Sequence, residues 1–271
     1  MKRNEIMQAR DAKIYKANEL IRRARYDLNP AEQKVLNFVF SQVRAGDTAG
    51  AEYSFTAVDF FEICGMNKDS GSNYARAKRI IKGLRDKSFW LQREDGTEAL
   101  IGWLVTATVK KSSGWISVTL DPRVQEFVKA LRDGNFTQFE LLATLPMQSQ
   151  YSIRLYELLR SYSWQAGQKG HTFNVDDLKK QLGAVQYENF KDFRRRVIEL
   201  GVKEINQFTD IHVSWTPIRM GRSIERVQFA IEERDYYEKV MAAKRANEAL
   251  DADQLPGQMS LTDYPGIIPK N

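Results

Sequence analysis

Apolar side chains along this chain recur at two spacings, three-to-four and two, and the switches between them mark out helices and strands. Val35, Leu36, Phe38, Val39, Phe40 and Val43 predict a largely buried helix, opened by Pro30 in its first turn and capped by Asn29. A loop from Gly46 to Gly50 leads to a short strand at Tyr53–Thr56 and a short helix at Ala57–Cys64 that Gly65 ends. Over Ser70–Asp86, Tyr74, Ala77, Ile81 and Leu84 draw one apolar stripe, with Ser72 or Asn73 as the cap. Strand-like segments rich in β-branched and aromatic residues follow at Phe89–Gln92, Leu100–Lys110 and Trp115–Leu120, separated by turns at Asp95-Gly96 and Ser112–Gly114. Asp121 then caps a helix that starts at Pro122.

The second half repeats this plan. Met147–Trp164 is a predicted helix carrying Ile153, Leu155, Tyr156, Leu158 and Leu159. A turn around Gly167–Gly170 leads to a strand at His171–Phe173 and a short helix at Val175–Leu182, ended by Gly183. Tyr187–Gln207 is a long helix with Phe190, Phe193, Val197, Gly201 and Ile205 on one face. Strands at Ile211–Trp215 and Arg226–Ile231 flank a turn at Met220–Arg222. From about Ala242 the chain has no sustained periodicity and contains Pro256, Gly257, Pro265, Gly266 and Pro269, which predicts a mostly disordered tail.

The two halves align at a fixed offset. Phe55 and Phe173, Asp59 and Asp177, and Gly65 and Gly183 are each 118 residues apart, and Gly83-Leu84-Arg85-Asp86 meets Gly201-Val202-Lys203-Glu204 at the same offset. Upstream the offset becomes 120, where Val35-Leu36 meets Leu155-Tyr156 and Ser41 meets Ser161, as a two-residue difference in loop length requires. The repeat argues for a duplicated domain. One copy reads helix, strand, helix, helix, β-hairpin, the order of a winged helix: a helix-turn-helix followed by a hairpin wing. The expected fold class is therefore α+β, two tandem winged helices followed by a disordered C-terminal tail. The expected domains are residues 1–135, 136–240 and a flexible 241–271.

Composition narrows the chemistry. Lysine plus arginine numbers 41 against 35 acidic residues, a net charge of +6, with a pI near 9.2. That mild excess admits nucleic acid or an anionic surface as partner. A single cysteine, Cys64, excludes an intramolecular disulfide and a cysteine zinc site, and two histidines, His171 and His212, exclude a three-histidine metal centre. His171 reads as a strand-edge residue, His212 as a wing residue and Cys64 as core. Asp59 and Asp177, at equivalent repeat positions, fit a structural role in the short helices. No phosphate-binding G-x-x-x-x-G-K-[ST] loop is present, nor two histidines separated by one apolar residue as in rolling-circle nicking enzymes. We expect no catalytic site, metal or cofactor. The N-terminal MKRNEIMQARDAK lacks the apolar core of a signal peptide, and no apolar run approaches the roughly 18–20 residues of a membrane span. The expectation is a soluble, cytoplasmic protein with no membrane partner.

The third helix of each copy is the candidate recognition helix. An α-helix fits the major groove, arginine pairs bidentately with guanine edges, and either basic side chain neutralises phosphates. The second copy offers Lys191, Arg194, Arg195 and Arg196, and the first offers Arg76, Lys78, Arg79 and Lys82, with Arg76 and Arg194 at the same repeat position. The wings add Lys110, Lys111, Arg219, Arg222 and Arg226 for backbone contacts. The competing account is that such charge runs are simply the solvated faces of amphipathic helices.

The segment YENFKDFRRRVIELGVKEINQFTDIHVSW (Tyr187–Trp215) resembles the second winged helix of the replication initiators of iteron plasmids. LYELLRSY (Leu155–Tyr162) resembles that family's helix just upstream, and Lys34–Phe40 with Tyr74–Trp90 resemble its first domain, so the likeness runs over about Ile14 to Glu233. The resemblance implies a protein that binds directly repeated double-stranded sites at a plasmid origin as a monomer. It implies that the second domain reads one half of each site through Lys191 and Arg194–Arg196, while Arg76, Lys78, Arg79 and Lys82 lie near the other. It further implies melting of an AT-rich region, recruitment of the host chromosomal initiator and replicative helicase, and a homodimer, joined through the first domain, that represses the protein's own gene in copy control. A monomer–dimer exchange would reorient the domains across Val124–Met147, which holds a helix and the loop Asp133-Gly134-Asn135. In the tail, Gln258-Met259-Ser260-Leu261 resembles the start of peptides that dock on the bacterial sliding clamp, making Gln258 and Leu261 candidate partner contacts, although Thr262 stands where such peptides carry an aromatic. The rival functions are a dimeric transcriptional repressor without an initiation role and a nicking enzyme.

Overall fold

The structure, a computed structural model, describes residues 2–66, 73–129, 135–163 and 170–252. Its N-terminal residues, whose composition shows only a basic stretch, form α1 (Arg3–Arg10), β1 (Lys13–Ala17), α2 (Asn18–Arg23) and β2 (Ala24–Arg25). The first winged helix then runs α3 (Pro30–Phe40), β3 (Glu52–Thr56), α4 (Ala57–Ile63) and α5 (Asn73–Asp86). After α5 come β4 (Ser88–Gln92), β5 (Glu98–Gly102), β6 (Leu104–Lys110), β7 (Trp115–Leu120) and α6 (Pro122–Lys129). Of the two proposed caps of α5, Ser72 lies outside the described residues, and Asn73 is the helix's first residue.

Caps explain where these helices begin. Asn29 Oδ1 accepts from the Glu32 backbone N–H at 2.9 Å, and Glu32 Oε2 accepts from the Asn29 N–H at 2.8 Å, a reciprocal capping box. Thr56 Oγ1 accepts from the Asp59 N–H, and the hydroxyl donates to the Asp59 carboxylate at 2.7 Å, which gives Asp59 the structural role expected of it. Asp121 accepts from the Arg123 N–H at the start of α6.

β8 (Phe136–Glu140) pairs antiparallel with β1, Lys13 opposite Glu140 through Ala17 opposite Phe136, and a 3₁₀ turn (Leu141–Ala143) follows. This ladder joins the basic N-terminal stretch to a segment read from sequence as a helix and a loop; Asp133 and Gly134 lie outside the described residues. The second winged helix comprises α7 (Gln150–Arg160), β9 (Gly170–Asn174), α8 (Val175–Leu182), α9 (Phe190–Phe193), a π-helical turn (Arg194–Glu199), α10 (Leu200–Phe208), β10 (Ile211–Met220) and β11 (Ser223–Glu233). The helix expected over Met147–Trp164 is shorter than predicted, because Ser149 accepts from the Tyr151 N–H and so starts it at Gln150.

The two copies have the same sheet. In each, the strand before the short helix pairs with the second wing strand, giving β3-β7-β6 and β9-β11-β10. Phe55 faces Ile116 in one and Phe173 faces Val227 in the other. The first copy carries an addition. The segment expected as one strand over Leu100–Lys110 breaks at the buried Trp103: β5 pairs with β4 in a separate β2-β4-β5 sheet, and only β6 belongs to the wing. Trp103 packs edge-on to Tyr26 and against Phe89, so its burial fixes where the chain changes sheets.

One correction concerns the C-terminal end. The tail expected to be disordered from 241 is helical through Ala252: α11 (Tyr236–Ala252) buries Ala242, Ala246 and Leu250, spaced by four. Alanines give a weak apolar signal, which is why the stripe is hard to see in the sequence. Residues 253–271, with Gln258 and Leu261, lie outside the described residues. Among the described residues no helix is long and apolar enough to cross a membrane.

Candidate nucleic-acid interface

Both helix-turn-helix turns are built the same way. Gly65 and Gly183 each have φ +66°, the left-handed region where a Cβ is costly. The N–H of Met66 donates to Phe61 O and that of Gly65 to Glu62 O; the N–H of Ala184 donates to Lys179 O and that of Gly183 to Lys180 O. Each short helix thus ends in the same pair of bonds. Further on, Gly83 and Gly201 lie where the third helix presses on the first. A Cβ at Gly83 would overlap Glu32 Oε1, and one at Gly201 would sit 2.8 Å from Leu155 Cδ2.

In the second copy, Asn189 caps α9 by accepting from the Asp192 N–H at 2.8 Å. Lys179 closes the turn, donating to Glu188 O at 2.9 Å with its ammonium over the Phe193 ring. The helix then widens into its π-helical turn. Arg194, Arg195 and Arg196 are exposed in succession, Val197 and Ile198 are buried in succession, and Glu199 and Leu200 are exposed again. A π-turn puts more residues in each turn, so three consecutive arginines face solvent without pulling their neighbours out of the core. Arg194 pairs with Glu199, five residues on, at 3.3 Å, and Arg195 reaches Asp192 at 3.8 Å. Exposed pairs of this kind contribute about 0–1 kcal/mol, too little to hold a guanidinium back from a phosphate or base edge. Lys191 and Arg196 are exposed and form no ion pair among the described residues.

In the first copy the corresponding cations are more engaged. Arg76 is half-buried, with its guanidinium over the Phe61 ring. Lys82 pairs with Asp86, one turn on, and Arg85 donates to Val105 O. Lys78 and Arg79 are exposed on α5.

The wings differ in reach. β9 pairs with β11 from Ala230 to Arg226 only, whereas β10 and β11 continue to Met220 and Ser223 and turn at Gly221, φ +63°. Arg219 and Arg222 lie on this projecting end, and Arg226 lies on its last three-stranded rung, opposite Asn174. The first wing stops at its sheet: Trp115 is opposite Thr56, and the Ala57 N–H donates to Gly114 O. Lys110 and Lys111 are exposed at that short turn.

What the sequence conceals lies between the copies. Lys16 is buried and donates to Glu157 Oε1 at 2.6 Å and to Asn37 Oδ1 at 2.8 Å. Asn37 and Glu157 occupy equivalent repeat positions on α3 and α7, so one lysine from β1 binds both copies. Burial lowers the Lys16 pKa, and Glu157 opposes that shift. Arg154 bonds Glu157, the Tyr26 hydroxyl, Ile21 O and Gln181 O. Arg22 donates to Ser161 and stacks on Tyr162, which in turn stacks on His171 at 3.9 Å. The charged pair Arg154 and Glu157, in the largely apolar run Tyr151–Leu159, is a sequence signal for this junction.

His171 lies on the edge strand β9 and His212 on β10, as read from sequence. Cys64 is buried, its thiol pushed up to about 12 by desolvation. Among the described residues no cluster of three or more His, Cys, Asp or Glu side chains could hold a metal ion.

Comparison with known proteins agrees with this architecture. Residues 13–160 match the family described as initiator replication protein, WH1, and residues 174–231 match initiator Rep protein, WH2. The PI protein of Escherichia coli is 26% identical over 145 residues, covering 48% of this chain and 47% of that relative; the match thus spans about half of each. The crystal structure of Pi initiator protein in complex with iteron DNA matches with a TM-score of 0.66 at 20% identity, over 83% of this chain and 99% of that one. At that identity the likeness concerns the fold. Since the WH1 match alone covers more than half of the chain and the WH2 match falls on the second winged helix, the chain belongs to the initiator replication protein family.

Proposed function

We propose that this protein initiates plasmid replication by binding repeated origin sites in double-stranded DNA. The observation that carries the reading is the π-turn of the second winged helix, which presents Arg194–Arg196 outward beside Lys191, together with the projecting wing bearing Arg219 and Arg222. The structural neighbour bound to iteron DNA supports the same ligand. Residues 136–240 make the main sequence-specific contacts. Residues 1–135 add contacts through Lys78 and Arg79, with Arg76, Lys82, Lys110 and Lys111 close by, and provide the homodimer surface. The bound monomer opens the origin and recruits the host initiator and helicase; the dimer represses the protein's own gene. It cleaves no strand. Gln258 and Leu261 contact the sliding clamp.

The test is selection from a plasmid-fragment library at about 150 mM salt, where non-specific charge binding is suppressed. Recovery of a site of roughly two helical turns, repeated in tandem, supports the reading. Recovery of inverted repeats alone would make the protein a repressor, and recovery of nothing specific would make the arginine faces solvated surface.

A further inference from the structure

Two helices lie outside both family matches: α1 before residue 13 and α11 after residue 231. They bind each other, and α11 with the residue pair before it contacts both winged helices. Arg234, just after β11 and two residues before α11, donates to Asn206 O and to Ile211 O, and Arg245, in the middle of α11, donates to Gln207 O at 3.0 Å. Asn206 and Gln207 belong to the last turn of α10, the end of the second recognition helix, where carbonyls lack helical partners.

In its last turns α11 reaches the helix-turn-helix of the first copy. Arg10 is only 1% exposed. Its guanidinium donates to Ile63 O at 2.8 Å and Glu62 O at 3.3 Å, the last carbonyls of α4, and to Asn247 Oδ1 at 2.7 Å and Asp251 Oδ1 at 3.1 Å on α11. Beside it, Leu250 fills the space a Cβ would need at Gly65, with its own Cβ and carbonyl oxygen each 2.7 Å from that position. Gly65 is the turn residue of the first helix-turn-helix. A single helix, roughly 25 Å long at 1.5 Å per residue, therefore holds the end of one recognition helix from its middle and the turn before the other from its last turns.

We propose that α11, locked by Arg10, is a spacer that sets the distance and angle between the two recognition helices and so determines which spacing of half-sites the protein accepts. Arg10, Asn247, Leu250 and Asp251 are positioning residues that touch no DNA. The inference rests on the reading that both winged helices engage one site.

The double variant Asn247→Ala/Asp251→Ala tests it while leaving Arg10 on the α4 carbonyls; Leu250→Ala is the second variant, and thermal melts confirm that both fold. The first measurement needs no DNA. Spin labels at Val58→Cys and Val185→Cys, both exposed, with the buried Cys64 unlabelled, report the distance between the two helix-turn-helix units by pulsed electron resonance. The full chain should give one narrow distance and the variants a broad distribution; an unchanged distribution in folded variants overturns the proposal. The second measurement uses the selected site with two base pairs inserted between its halves, a rotation of about 70°. The unmodified protein should lose at least about tenfold in affinity and the variants less than about threefold, while binding of the isolated second half-site stays equal. An equal penalty in protein and variants overturns the spacer. Absence of any specific site overturns the functional reading instead, while the distance measurement still judges the spacer.

Discussion

The two winged helices share a skeleton and differ in what they expose. Short helices end on glycines with the same φ, third helices press on first helices at Gly83 and Gly201, and Ser41 and Ser161 donate to Phe38 O and Leu158 O at the same 2.7 Å. Yet the second copy projects its wing and lays out three arginines on a widened turn. The first ties its wing to α4, engages Arg76, Lys82 and Arg85, and inserts the β4–β5 hairpin between recognition helix and wing. Duplication thus preserved the residues whose backbone geometry permits no substitute and left the charged faces free to diverge.

The sharpest way to break this pairing is at the junction. Lys16→Met leaves Glu157 buried and short of its partner, and should cost about 3–5 kcal/mol in urea denaturation; a loss below 1 kcal/mol would show that Arg154 alone neutralises Glu157. Next come the turn glycines. Gly65→Ala and Gly183→Ala each force a Cβ into the left-handed region and against a neighbour at 2.7 Å, so each should cost roughly 1–3 kcal/mol. Unequal losses would end the claim that the turns are equivalent.

DNA binding sharpens the difference between the copies. Arg196→Ala should weaken specific binding by about 1–3 kcal/mol if it pairs with a base, and Arg79→Ala by less; equal losses on specific and random DNA would reduce either to a phosphate contact. The smallest effect is one of pH. Position 53 of the first copy holds tyrosine where the second holds His171. Burial, then Arg22, lowers the His171 pKa, so below pH 6.5 the unfolded chain takes up a proton that the folded chain resists. Stability is full above that pH, falls as pH drops from there toward the lowered pKa, and levels off below it. His171→Phe should make the acid limb of the stability curve shallower, and an unchanged limb would mean that other groups govern it.

Much of this was legible along the chain because it is local. Val175–Leu182 appears with its predicted bounds, ended by Gly183, and the π-turn occupies the middle of the helix foreseen over Tyr187–Gln207. The arginines were visible too, since a run of charge beside an apolar stripe marks the solvent face of a helix. The break at Trp103 was not, because both sides of it have strand composition and only the choice of pairing partner separates them. The π-turn leaves a faint trace in Arg194–Arg196 followed by Val197-Ile198, where three polar residues and then two apolar ones exceed the α-helical period.

The sequence by itself determined the repeat, the order of elements the two copies share and the family, because caps, turn glycines and apolar periods act within a few residues. Only the tertiary structure decided how the copies are joined. Arg10 and Lys16 look like members of a solvated basic stretch, and their burial depends on carbonyls and carboxylates contributed from 52 to 241 positions away. Desolvating a charge is affordable only where such partners converge, and that convergence is a property of the folded chain.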